Sequence, residues 1–241
     1  MTLFALAIAP GIAICIYFLL KDEYNREPRK HIFISFLLGV LSCFVAIILE
    51  LSLEPLLNRA MPAGILRVAL MAFVVVGFSE EWAKYLFVRH YSYKKESFDE
   101  PFDGIVYSVM VSMGFATFEN IFYVMEHGMA TAFLRMFLSV PAHACFAILM
   151  GYYLGKSKFD NANRKALLLQ GLLMAAFFHG AFDFFLFLQE DKLVTRYVSE
   201  LMLFGGAVVS YIIAIILSRK AIKSHMLTSR EMHGAKEVGE A

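Results

Sequence analysis

The polar and apolar positions of this chain fall into seven long apolar runs separated by short charged connections, at roughly 3–20, 32–50, 64–88, 104–125, 130–155, 166–188 and 197–218. About 20 apolar residues in a helix cross a hydrocarbon core of roughly 30 Å. The runs are rich in Leu, Ile, Phe and Ala and lack two-residue alternation, so they predict helices rather than strands. An open strand would also leave backbone groups unpaired in lipid. The expected fold is therefore all-α: a polytopic bundle of about seven transmembrane helices. Residues 1–218 form a single integral membrane domain, with the chemistry on helices between about 64 and 188. The polar tail 219–241 reads as disordered.

The connections are sorted by charge. Sixteen Lys and Arg lie in alternate connections and the tail, beginning with Lys21, Arg26, Arg29 and Lys30. Five lie opposite: Arg59, Arg67, Arg135, Lys192 and Arg196. Basic connections stay in the cytoplasm, which predicts an extracytoplasmic N-terminus and a cytoplasmic C-terminus. The first run lacks a basic start and a cleavage signature, so it reads as a retained span. Breakers are expected at Pro10-Gly11 and at Pro141, and Asp103-Gly104 reads as the start of a helix. Arg135 reads as an anchor at the outer end of its span.

Composition agrees: of 241 residues, 59% are hydrophobic and 18% charged. With a net charge of +1 and no basic stripe with interleaved aromatics, no nucleic-acid partner is indicated; the surrounding partner is membrane lipid. The three cysteines, all in apolar runs, imply buried thiols rather than a disulfide framework.

Against that background four polar clusters stand out inside the apolar runs: Glu80-Glu81-x-x-Lys84, Glu119-Asn120, His143 and His179-x-x-x-Asp183. Ionisable groups persist at membrane depth where they are paired or functional. Glu80 and Lys84 share a helix face and predict an ion pair, which leaves a second carboxylate needing a proton, a metal or another partner. Glu119 has no cation within helical reach and must look to another helix. Asn120 beside it is a candidate to orient water or an oxyanion. Asp183, four residues after His179, can accept from one ring nitrogen and set the tautomer. Each cluster alone has a structural reading, as a hydrogen-bonded or protonated packing group. By span limits, Glu80 lies nearer the cytoplasm than Glu119, a depth difference of about 10 Å.

Together these elements resemble the PrsW family of bacterial membrane proteases, distantly related to CAAX-processing and bacteriocin-processing enzymes. The resemblance rests on Glu80-Glu81-x-x-Lys84, Phe115-x-x-x-Glu119-Asn120, His143 and His179-x-x-x-Asp183, in family order. It implies peptide-bond hydrolysis in a bacterial cell membrane. The partner it implies is a single-pass membrane protein such as an anti-sigma factor, which receives its first, extracytoplasmic cut and so releases a sigma factor for an envelope-stress response. The expected catalytic set is Glu80, Glu81, Glu119, His143 and His179, supported by Lys84, Asn120 and Asp183. In this mechanism a glutamate activates water. A divalent metal, zinc in particular, is compatible through His143, His179 and Glu119 but not required by the sequence. A proton- or ion-coupled transporter and a non-enzymatic scaffold are the competing classes.

Overall fold

A computed structural model describes residues 2–239, with side chains placed through His233. The described chain is helical, with no strand. Six helical stretches are long and apolar enough to cross a membrane. They contain α1 (Thr2–Lys21), α2 (Arg29–Ala60), α5 (Pro101–His127), α6 and α7 (Met129–Phe137 and Ser139–Phe159), α8 (Arg164–Phe187) and α9 (Glu200–Gly239). The remaining apolar run is built from three consecutive pieces: α3 (Ile65–Leu70), a π-helical segment (Met71–Phe78) and α4 (Ser79–His90). The seven-run expectation holds, with one run locally rewound.

Helix α5 is the axis of the bundle. Its most apolar window is 78% buried, against 22% for α9, because α1, α2, α7 and α9 all pack around it. Close approach requires residues without a Cβ. At the crossing of α5 and α7, a Cβ added to Gly104 would run into the Gly151 carbonyl oxygen, and one on Gly151 into that of Gly104. The π segment is seated the same way: a Cβ on Gly77 would lie 2.9 Å from the Gly180 nitrogen on α8. That contact sets the π segment directly against the turn carrying His179.

The two expected breakers behave differently. Helix α1 runs through Pro10 without interruption. Pro141 lies in the first turn of α7, after a break at Leu138 (φ −115°, ψ −71°). Proline has no N–H for the carbonyl four residues back, here Phe137, where α6 ends. Helix α5 begins earlier than Asp103: Glu100 is its N-cap, Pro101 its first residue, and Glu100 and Asp103 form a reciprocal capping box.

The expectation of a disordered tail is corrected through His233. Helix α9 continues past Ser218, and Ala221, His225 and Ser229 are buried. His225 donates from Nδ1 to the Pro101 carbonyl at 2.7 Å and packs on Tyr152. The tail's charges therefore flank a buried face with four-residue spacing. Residues 240–241 lie outside the described part.

Candidate active site

Two of the three segments that carry the paired acids and the histidines are positioned by local departures from regular α-helix. The π segment ends at Phe78, immediately before Ser79-Glu80-Glu81. Such wide turns leave a carbonyl without its usual donor and re-aim the next turn of helix. The Ser79 hydroxyl donates to the Val74 carbonyl at 3.4 Å. The Pro141 break starts α7 so that His143 stands in its second turn. Helix α8 is continuous and presents His179 and Asp183 on one face.

Lys84 is at the centre. Its ammonium, on a side chain 2% exposed, donates to Glu80 Oε2 at 3.0 Å, to Glu81 Oε1 at 2.9 Å and to Nδ1 of His143 at 3.1 Å. The lysine bridges both glutamates, where one ion pair was expected, because it reaches back three residues to one and four to the other. An ammonium has no lone pair, so Nδ1 of His143 accepts and its proton sits on Nε2. That nitrogen donates to Glu119 Oε2 at 3.1 Å. The depth gap between Glu80 and Glu119 is thus spanned by Lys84 and His143 in series.

His179 faces carboxylates on both ring nitrogens: Glu81 Oε1 at 2.9 Å from Nδ1, and Asp183 Oδ2 at 3.2 Å from Nε2. The ring of His143 stands nearly perpendicular to it, 5.0 Å between centroids. All of Glu80, Glu81, Lys84, Glu119, His143, His179 and Asp183 therefore belong to one network.

Asn120 departs from its expected role. It is fully buried; its amide donates to the Ala7 carbonyl at 2.8 Å, and its oxygen accepts from Nε of Arg135 at 2.8 Å. It ties α1, α5 and α6 together and is absent from the cavity wall. The residue that reasoning from sequence missed is Arg135. Rather than anchoring a span end, it donates from Nη2 to Glu119 at 2.8 Å and lies over the Tyr123 ring. Its only sequence signal was a cation six residues before Pro141. Glu50, at the end of the second apolar run, is a further acid facing the same space as Glu80, Glu119 and Asp183.

The network opens on a cavity of about 470 Å³, in the range of small-molecule and peptide sites. Glu50, Glu80, Glu119, Arg135, His143, His179 and Asp183 supply its polar wall, and Phe115, Phe146 and Phe182 much of the apolar one. Glu81 is absent from the wall and 0% exposed. A second opening, lined by Glu54, Asn58, Arg67, Glu190 and Asp191, shares Val76 and Phe187 with the first.

The profile of the PrsW family intramembrane metalloproteases matches residues 27–217. The chain belongs to this family. Among its PrsW relatives, Protease PrsW of Geobacillus kaustophilus is 40% identical over 189 residues, covering 78% of this chain and 81% of that protein. Protease PrsW of Bacillus subtilis is 42% identical over 181 residues, 74% and 80% of the two chains. That of Clostridioides difficile is 37% identical over 193 residues, 78% and 80%. No solved structure matches the chain. As a PrsW protein it is a multi-pass membrane peptidase, and the transporter and scaffold readings give way.

The PrsW site has the donor types for a metal, in a space where the Lys84 ammonium meets Glu80, Glu81 and Nδ1 of His143 and would have to swing aside for the ion. One donor atom each from Glu80, Glu81, His143 and His179 lies within 4.8 Å of the other three. Two imidazoles and two carboxylates suit zinc, and Glu81 Oε2 is buried without a hydrogen-bond partner. The carboxylates that join the histidines are these two, in place of the expected Glu119. Glu119 instead receives the far N–H of His143, as Asp183 faces one nitrogen of His179; such partners orient a ligating ring.

Proposed function

We propose that this protein hydrolyses a peptide bond of a single-pass membrane protein, an anti-sigma factor, at the outer side of the membrane. Glu80 is the base, since it alone of the adjacent pair reaches the cavity wall. It takes a proton from water held between the walls bearing Glu80 and His143. Glu81, withdrawn from the cavity, holds Lys84 and His179 in place. Arg135, in the wall beside Glu119, supplies the N–H groups that meet negative charge developing on the carbonyl oxygen. Glu119 fixes both Arg135 and the proton position of His143. A zinc ion held by Glu81, His143 and His179 from that donor set, with Glu80 left free as the base and the fourth position open to water, would supply Lewis acidity to the same reaction.

The observation that carries this reading is the convergence of Glu80, Glu119, His143 and His179 on one cavity inside an otherwise apolar bundle. The orientation follows from the sixteen-to-five division of Lys and Arg, with the N-terminus outside and the C-terminus in the cytoplasm. In that orientation Glu50, Tyr123, Arg135 and Phe187 lie in the outer halves of their apolar spans, so the cavity faces the extracytoplasmic side.

The test is cleavage of purified candidate single-pass substrates in proteoliposomes, with product termini mapped. Single alanine substitutions of Glu80, Glu119 and His143 should abolish the cut in folded protein. Normal cleavage by all three variants would end this assignment.

A further inference from the structure

Four acids meet at the end of the bundle away from the cavity. Asp22 and Glu27 come from the connection between α1 and α2, Glu100 and Asp103 from the start of α5. Asp103 precedes Glu119 by sixteen residues of one helix, a rise of about 24 Å, so this group is separate from the catalytic one.

All four are buried, with 1%, 6%, 2% and 0% exposure. One oxygen each from Asp22, Glu100 and Asp103 lies within 4.8 Å of the other two. Glu27 is bound into the group: its N–H donates to Asp22 Oδ2 at 2.9 Å, and its carboxylate accepts from the Tyr107 hydroxyl. Asp103 Oδ2 accepts from the amides of Asp99 and Glu100.

These bonds leave oxygens over. Asp22 Oδ1, Glu27 Oε1 and Asp103 Oδ1 are buried with no hydrogen-bond partner. The Ser229 hydroxyl, on a residue 1% exposed, comes in from α9 beside Glu100, short of a well-formed hydrogen bond. Among the described residues no Lys or Arg forms an ion pair with any of the four; His233, 3.1 Å from Glu100, is the one basic partner. Burial pushes the Glu27 carboxyl up to about 7, and raises those of Asp22 and Glu100. Something positive belongs in this space, and the unpartnered oxygens point to where.

We propose that Asp22, Glu100 and Asp103 bind one hard divalent cation of the Mg²⁺ and Mn²⁺ class, with Glu27 and the Ser229 hydroxyl completing the oxygen set directly or through water. All-oxygen donors select such ions over zinc, in contrast to the histidine-bearing site. By linking the α1–α2 connection and α5, with Ser229 of α9 in the set, the ion fastens the tail helix to the bundle. It does so whatever the catalytic roles are.

Mn²⁺ is the probe, added to the full-length protein purified in detergent and carrying His143→Ala and His179→Ala to remove the zinc-type donors. Electron paramagnetic resonance of free Mn²⁺ should show one equivalent bound and displaceable by Mg²⁺. Adding Asp22→Asn, in the loop, should weaken that binding at least tenfold. The melting temperature of the protein with an intact acidic group should rise on adding Mn²⁺, a readout that needs no substitution in the group. Absence of binding, absence of that rise, or equal binding after Asp22→Asn means that shared protons fill the space, and the proposal falls.

Discussion

The ammonium of Lys84 and Nδ1 of His143, 3.1 Å apart, join positions 59 residues distant in sequence and fix where the proton of that imidazole sits. Because Lys84 only donates, His143 presents its N–H to Glu119. One lysine thereby neutralises two buried glutamates and sets a tautomer on a neighbouring helix.

Lys84→Met should consequently be among the most damaging single changes. Removing one partner of a buried ion pair costs roughly 3–5 kcal/mol, because the remaining charge stays buried alone. Thermal melting in detergent should show a marked loss of stability, and cleavage should disappear. Stability equal to that of the unsubstituted protein would contradict the bridging role.

Glu80→Gln and Glu81→Gln separate the adjacent acids. The first should lower kcat by about 10²–10⁴, the usual contribution of a positioned base, with a smaller drop in melting temperature than Lys84→Met, because Lys84 keeps Glu81 as its partner. The second should lower stability as well, since Glu81 is 0% exposed and engages both Lys84 and His179. Paired kinetics and melting curves on the two variants check the division.

Arg135→Ala should reduce kcat/KM by about 10²–10³, the scale for losing one oxyanion donor. Arg135→Lys should recover little of it. A lysine cannot donate from two fixed nitrogens to Glu119 and Asn120 at once, as Nη2 and Nε do here.

For Asn120→Ala the balance reverses. Its amide is committed to Ala7 and Arg135, so the expected cost is about 1–3 kcal/mol of stability from partners left unsatisfied. The activity loss should be smaller than that of Arg135→Ala. A larger loss in properly folded Asn120→Ala protein would restore the amide to the reaction itself.

Metal content gives a measurement independent of turnover. Zinc should bind stoichiometrically and be removed by chelation with loss of cleavage that zinc restores. Glu119→Gln and Asp183→Asn should each weaken zinc binding about 10–100-fold, the effect of removing a partner that orients a ligating histidine.

Much of the site was legible in the chain because an ionisable residue inside an apolar run has few explanations. Glu80, Glu81, Lys84, Glu119, His143, His179 and Asp183 were each visible for that reason, and the structure joins them. Arg135 was not, because a cation near the end of an apolar run looks the same whether it faces headgroups or folds back onto a carboxylate. Asn120 misled in the opposite way: proximity to Glu119 in sequence placed it in the reaction, whereas the helix turns its amide toward α1. The buried face of the α9 extension escaped notice because charges hide a four-residue pattern of small and polar residues.

Taken alone, the amino-acid order determined the number of apolar passes, their helical character and the expected sidedness. Those depend on local quantities: run length against bilayer thickness, backbone hydrogen bonds satisfied within each helix, and the charges of short connections. Which carboxylate meets which cation depended on the tertiary structure. Helix crossings set by close-packed glycines, the break before Pro141 and the rewound turn before Glu80 decide distances of a few ångströms between residues far apart in the chain, and hydrogen bonds and charge pairing fall off over just those distances.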